Sequence, residues 1–419
     1  MDTGNELDRP LRLLIFEPKA SGHRIILYLR NIVKEAVRRR WTLHIVTTHL
    51  ALDHPAYHLL IEEYGDHFTV STMPPVEFPA AVPSIRNLLR SQLQAYRAFA
   101  RAYREIRDEV QPDVIYVNAF SAFDKTTGVL GSPFKGTPLV GMLLGVKFHH
   151  RSMDISASSS RNDWFYRKLF ARLLRAPGLT SVLVTDPALA PYMKRSLLKN
   201  SHKVRYVPDV AHLSGLATRQ TARQALGIDD HQIVILVYGA LSERKGVRSL
   251  LDSLRHLGRA SNVVVLLVGA QDSSTRLLLA EKDVRALFET RMLKVIEGFV
   301  DDACEFTVFK AADIVWLGYR GFYGMSGVLL QAGLAGLPVI ACKQGMIGWL
   351  VQQHGLGEML DTFERAEIAG TIRRLSSDSR LRHSYGERGR LVAITHTPQR
   401  MAEGVCDAIA EAVNNKAGR

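Results

Sequence analysis

The sequence predicts an α/β protein made of two doubly wound parallel-sheet domains. Three observations lead there. Continuous apolar runs such as LRLLIFE and DVIYV alternate with longer helix-like stretches, the pattern of strands buried on both faces of a parallel sheet. The alternation starts afresh beyond residue 210. And 419 residues exceed what one ordinary core accommodates.

In the first half the expected strands are Leu11–Glu17, Thr42–Thr47, Phe68–Ser71, Asp113–Val117, Leu139–Leu144, Ser181–Val184 and Val204–Val207. The helical stretches His23–Arg40 and Ile85–Val110 separate the earlier ones. The second set is Ile233–Tyr238, Val263–Val268, Leu293–Ile296, Ile314–Leu317 and Pro338–Ala341. Helices are expected at Lys245–Leu257, Ser274–Glu289, Gly327–Ala335 and Ile347–His354. The domains read as 1–212 and 213–398, and the amphipathic stretch Arg400–Val413 within 399–419 is expected to cross back to the first domain.

Composition narrows the function. Forty-seven percent of residues are hydrophobic, yet no run approaches the ~20 apolar residues of a membrane span. The polar start MDTGNELDRP lacks a signal-peptide core, and three scattered cysteines suit neither a disulfide framework nor a zinc site. A reducing, cytoplasmic setting is expected. The net charge of +13 sits mostly in residues 1–210, with 29 Lys and Arg against 19 Asp and Glu. A basic face suits nucleic acid, anionic lipid or an acidic acceptor, or is simply a soluble surface. No helix-turn-helix, zinc finger or stacking motif accompanies the charge, which disfavours nucleic acid.

Two loops carry the chemistry. In VYGALSERKG (237–246) a buried strand ends at Gly239, and Lys245 and Gly246 open a helix. A helix start with unpaired N–H groups beside a lysine is an anion site, although the lysine also reads as a solvated one on an ordinary loop. In GYRGFYGMSG (318–327) Tyr323, Gly324, Met325, Ser326 and Gly327 follow a strand and open a helix, so backbone N–H groups there can approach a phosphate. The bland alternative is a plain turn. Two such loops in adjacent β-α units favour a diphosphate site.

Here the sequence resembles the retaining GT-B glycosyltransferases of the large family 4 type. About 130 residues match in order: Arg223-Gln-Ala-Leu-Gly-Ile, VILVYGALSERKG, VVVLLVGA, IEGFVDDACEFTVFKAADIVWLGY and GVLLQAGLAGLPVIACKQG. A weaker N-terminal likeness rests on Leu11–Glu17 with Ser21-Gly22-His23, on RRWTLHIV and on Phe148-His149-His150. The resemblance implies two Rossmann-like domains with a cleft between them, and a nucleotide-sugar donor on the C-terminal one. It implies that Lys245 holds the donor diphosphate, with Gly239 and Arg244 beside it. Gly298, Phe299 and Val300 would hold the nucleobase. Gly22 would face the donor, and His149 or His150 would touch the sugar in a catalytic role. The family arginine after the strand glycine falls on Ala240, and Arg244 is its expected substitute. Two family glutamates fall on Tyr323, or on Arg320 with a shift of three residues, and on Gln331; Gln331 can still bond a ribose hydroxyl.

No essential metal is expected, since no Asp-x-Asp motif or ligand-spaced His/carboxylate cluster appears, and adjacent histidines on a strand point apart. No cofactor is expected, and the donor nucleotide is expected to be UDP or GDP. Transfer with retention to a glycan, lipid-linked or small-molecule acceptor is the leading function. The alternatives are a non-catalytic nucleotide- or glycan-binding protein, motivated by Ala240, Tyr323 and Gln331, and a nucleotide-sugar epimerase. The basic stretch Arg161–Arg175 contains Trp164, Phe165, Leu169, Phe170 and Leu173. It either packs its apolar side into the first domain or contacts an anionic membrane surface at the inner face. The arginines of Ile85–Val110 read as a solvated surface.

Overall fold

The computed structural model describes residues 9–21, 24–76, 85–156, 162–196, 198–257, 262–298 and 300–417. Seven strands form the first sheet: β1 (Arg12–Phe16), β2 (Thr42–Thr47), β3 (Phe68–Thr72), β4 (Val114–Val117), β5 (Leu139–Met142), β6 (Leu179–Val184) and β7 (Val204–Tyr206). Their order is β3-β2-β1-β4-β5-β6-β7, every pairing parallel. The second sheet holds β8 (Ile233–Tyr238), β9 (Val263–Gly269), β10 (Leu293–Glu297), β11 (Ile314–Leu317), β12 (Val339–Cys342) and β13 (Gly357–Leu360). Its order is β10-β9-β8-β11-β12-β13, again parallel throughout.

The apolar runs are continuous because both faces of each strand are covered. Along β1, Leu13 and Ile15 enter one core while Leu14 and Phe16 enter another. Along β8, Ile235 and Val237 face one cluster, and Val234 and Leu236 the other.

The described residues within Met1–His149, Ser159–Val210 and Pro398–Arg419 form one compact unit, and those within His150–Ser158 and Ala211–Thr397 a second. The helix Pro398–Ala417 completes the first unit, where Met401, Val405, Cys406 and Ile409 share a core with Leu13, Ile15 and Val114.

Three elements differ from expectation. Strand β13 is an edge strand with sequence GEML, which carries no β-branched residue and none of the continuous apolar pattern. The stretch expected as one helix over Ser274–Glu289 breaks at Glu281, whose extended backbone separates helices Ser273–Ala280 and Lys282–Glu289. The helix after β1 opens as a π-helix, Arg24–Leu29, before becoming α-helical at Arg30–Arg38.

Candidate functional site

In the second sheet the strand order reverses direction between β8 and β11. Open α/β sheets bind ligands at such a switch point, outside the carboxyl ends of the strands. Both loops singled out by sequence lie there: 239–246 leaves β8, and 318–327 leaves β11.

The chain leaves β8 through Gly239 at φ 93°. A Cβ there would lie 3.3 Å from the Lys245 amine, so the missing side chain makes room for it. A short 3-10 turn, Glu243–Lys245, leads to Gly246 at φ 66°, which precedes the helix Val247–Leu254. A Cβ on Gly246 would meet the Gly318 carbonyl at 2.3 Å, so this glycine lets the two loops touch backbone to backbone. The Trp316 indole donates to the Lys245 carbonyl at 2.8 Å, and the Arg320 amide to the Arg244 carbonyl at 2.8 Å. The loops therefore brace each other.

Lys245 is only 4% exposed. Its amine donates to the Tyr238 carbonyl at 2.5 Å and to the Tyr319 hydroxyl at 2.8 Å. Burial, with the neighbouring Arg244 charge second, lowers its pKa to about 7. An ammonium has three N–H donors, so one remains beyond these two bonds. The Arg244 guanidinium lies 4.9 Å from the Phe322 ring centre and 5.4 Å from that of Tyr319. Ser326 hydrogen-bonds the Tyr319 phenol, whose pKa burial pushes up to about 12. Ser326 also sits at the N-cap of Gly327–Ala335, whose first backbone N–H groups lack intrahelical partners. Gly324 meets only the Phe322 ring at ordinary distance, so its surroundings do not demand a glycine. Met325 packs against the second unit's core, and the Tyr323 carbonyl accepts from Met346 at 3.2 Å.

Beside the lysine is a polar group that sequence reasoning missed. The Gln331 amide donates to the Glu305 carboxylate at 2.7 Å, and Tyr238 hydrogen-bonds the same carboxylate through its side chain. Burial raises the Glu305 pKa. Tyr238 thus touches Lys245 through its carbonyl and Glu305 through its phenol. An acid near a lysine loop is no signal by itself. Only the helix Asp302–Ala311 carries Glu305 to Gln331.

Gly298, at φ 116°, ends β10, and Val300 packs against the core beneath. Phe299 and Gly22 lie outside the described residues. His149 is fully buried in the first unit, its Nε2 3.0 Å from the Asp186 carboxylate and its ring tilted against Tyr192. A histidine and a carboxylate thus lie side by side, against the expectation of no clustered ligands. Nor do the two histidines lie on a strand: β5 ends at Met142, and His149 lies in a turn beyond it. His150, also buried, opens a 3-10 turn assigned to the second unit. In the helix Asp163–Leu174, Phe170, Leu173 and Leu174 are buried, while Trp164, Phe165 and Tyr166 are exposed. Packing accounts for its C-terminal half only. In Ile85–Val110, Phe99, Tyr103 and Ile106 are buried and Arg90, Arg97, Arg101, Arg104 and Arg107 face solvent.

Residues 218–392 match the family described as glycosyl transferases group 1, and the chain has the GT-B fold of solved glycosyltransferases. Among those structures, Anabaena Alr3699/HepE in complex with UDP and glucose is 18% identical, with a TM-score of 0.64 over 96% of this chain and 100% of that one. WaaG, a glycosyltransferase involved in lipopolysaccharide biosynthesis, is 17% identical, with a TM-score of 0.62 over 95% and 99%. In sequence, YtcC of Bacillus subtilis (strain 168) is 25% identical over 259 residues, 59% of each chain. MJ1607, an uncharacterized glycosyltransferase of Methanocaldococcus jannaschii, is 25% identical over 37% of this chain and 39% of its own. The chain thus spans less than two thirds of either curated relative's length.

Proposed function

We propose that the protein transfers a sugar from a nucleoside diphosphate sugar to an acceptor, with the donor held by the second unit. The observation that carries this reading is the buried Lys245 at the β8/β11 switch point, between two mutually braced loops. As the bond from the sugar to the diphosphate breaks, negative charge builds on the departing oxygen. Lys245, Arg244 and the N–H groups opening Gly327–Ala335 are the groups available to stabilise it. This needs little side-chain proton transfer, which fits transfer with retention and without a metal. Glu305 and Gln331 offer acceptors and a donor for the nucleotide's hydroxyls. UDP is the proposed nucleotide, supported by the UDP-bound HepE structures.

The test is UDP and GDP binding by calorimetry, followed by slow hydrolysis of the matching nucleotide sugars. Lys245→Met is expected to weaken nucleotide binding roughly 10- to 100-fold, the worth of a hydrogen bond from a charged group. Binding unchanged by Lys245→Met rules out the proposed phosphate site. Tight binding without turnover on any acceptor instead favours a non-catalytic role, which the missing carboxylates at Tyr323 and Gln331 make worth separating.

Exposed Trp164, Phe165 and Tyr166 beside Arg167 and Lys168 support a second element of the reading, contact with an anionic membrane surface. A lipid-linked acceptor would be presented there.

A further inference from the structure

The first sheet has its own switch point, between β1 and β4. Phe16 pairs with Val117, so Glu17 and Asn118 are the residues immediately beyond the two strand ends. Both are 1% exposed. Glu17 Oε1 accepts from the Lys19 amide at 3.2 Å, and Oε2 accepts from the Asn118 side-chain amide. Asn118 is fixed in turn by the Tyr116 phenol at 3.0 Å and by its own amide donating to the Phe16 carbonyl at 3.1 Å.

Onto this frame the π-helix sets Arg24, whose side chain is 14% exposed. Its Nε donates to Glu17 Oε2 at 3.2 Å, and one terminal nitrogen, Nη2, donates to the Asn118 carbonyl. Among the described residues the other, Nη1, donates to nothing. A carboxylate buried this deeply is costly unless paired. Here Glu17 offsets the charge and fixes the plane, while Nη1 has no acceptor among the described residues.

We infer that Glu17, Asn118 and Arg24 form an oxyanion-binding site at the β1/β4 switch point, with Arg24 presenting its outer edge to a phosphate or carboxylate. A guanidinium donates only, so its partner is an acceptor group, and its planar fork matches oxyanions. The excess of Lys and Arg in residues 1–210 favours an anionic ligand on this unit. As the anchor of an acceptor this site rests on the transfer reading above. As an anion site it stands alone.

The test uses three probes that share a ring and differ at one carbon: glucose 6-phosphate, glucuronate and glucose. Calorimetry is run on the full chain and on Lys245→Met, which separates this site from the proposed nucleotide site. One or both anions are expected to bind equally to wild type and Lys245→Met, at least tenfold more tightly than glucose. The anion that binds identifies phosphate or carboxylate as the ligand group. Arg24→Lys, which keeps the charge but loses the fork, is expected to weaken binding tenfold or more. Because Arg24→Lys could also disturb the buried Glu17, the paired variant Glu17→Gln/Arg24→Gln removes both charges together and is expected to show the same loss with an unchanged unfolding midpoint. No anion binding to wild type, anion binding that survives in the paired variant, or glucose binding as tightly as the anions each overturns the inference. Loss of anion binding in Lys245→Met alone also overturns it, by assigning the anion to the other site.

Discussion

Because Lys245 has its pKa near 7, its charge is conditional. Below that pH the free protein carries the ammonium; above it the amine is increasingly neutral. A bound diphosphate favours the charged form, so binding above pH 7 takes up a proton and affinity falls as pH rises. Between pH 7.5 and 9, where the nucleotide is fully ionised, UDP affinity is expected to drop roughly tenfold per pH unit. Calorimetry in buffers of different ionisation enthalpy reads the proton uptake directly, and Lys245→Met is expected to show neither effect. The glycine beside it gives a purely structural counterpart. Gly246→Ala pushes a methyl group against the Gly318 carbonyl in a left-handed conformation. It is expected to lower stability by about 1–3 kcal/mol, seen as a shift of the denaturant midpoint. At this scale the sequence exposed Gly239, Arg244, Lys245 and Ser326, because loop chemistry is local. It could not expose Tyr319, Tyr238 or Glu305, whose contacts with Lys245 or Gln331 depend on the packing of separate elements.

Whole elements were legible where one pattern dominated. The run VILVY is fully apolar and became β8; GEML has no such run and became β13 only because β12 offers it an edge. Break points were less visible. Glu281, extended between the two helices, pairs with Arg248 at 2.6 Å, a contact 33 residues apart that no local propensity encodes. The helix Arg219–Leu226 shows how a local segment acquires a distant purpose. Arg223 is fully buried, donates to three carbonyls in 229–232, and pairs with Asp313 at 2.6 Å just before β11. Arg223→Met orphans those carbonyls and weakens the neutralisation of Asp313. A loss of about 3–5 kcal/mol is expected, measurable by urea unfolding. The helix Asp163–Leu174 carries a different expectation. The wild-type chain is expected to sediment with anionic vesicles at low salt, less so at high salt, and Trp164→Ser/Phe165→Ser to remain in the supernatant. Equal sedimentation of the two proteins, or none by wild type, removes the membrane reading.

At the scale of the molecule, repetition of the β-α alternation announced two sheets, and their strand orders then located two switch points. The sequence alone could not supply those orders, since strand neighbours are chosen by long-range pairing. The first unit is discontinuous in sequence. Its core includes Met401, Val405, Cys406 and Ile409 from the helix Pro398–Ala417. A chain ending at Thr397 is expected to lose cooperative unfolding of the first unit and to bind a hydrophobic dye such as ANS. The same feature orders events at the ribosome. The second unit, within Ala211–Thr397, has all its strands in hand before that helix is translated. The first unit's sheet emerges earlier, yet the core that holds Leu13, Ile15 and Val114 is completed only after nearly two hundred further residues. The part of the protein made first is thus expected to be the part that finishes folding last.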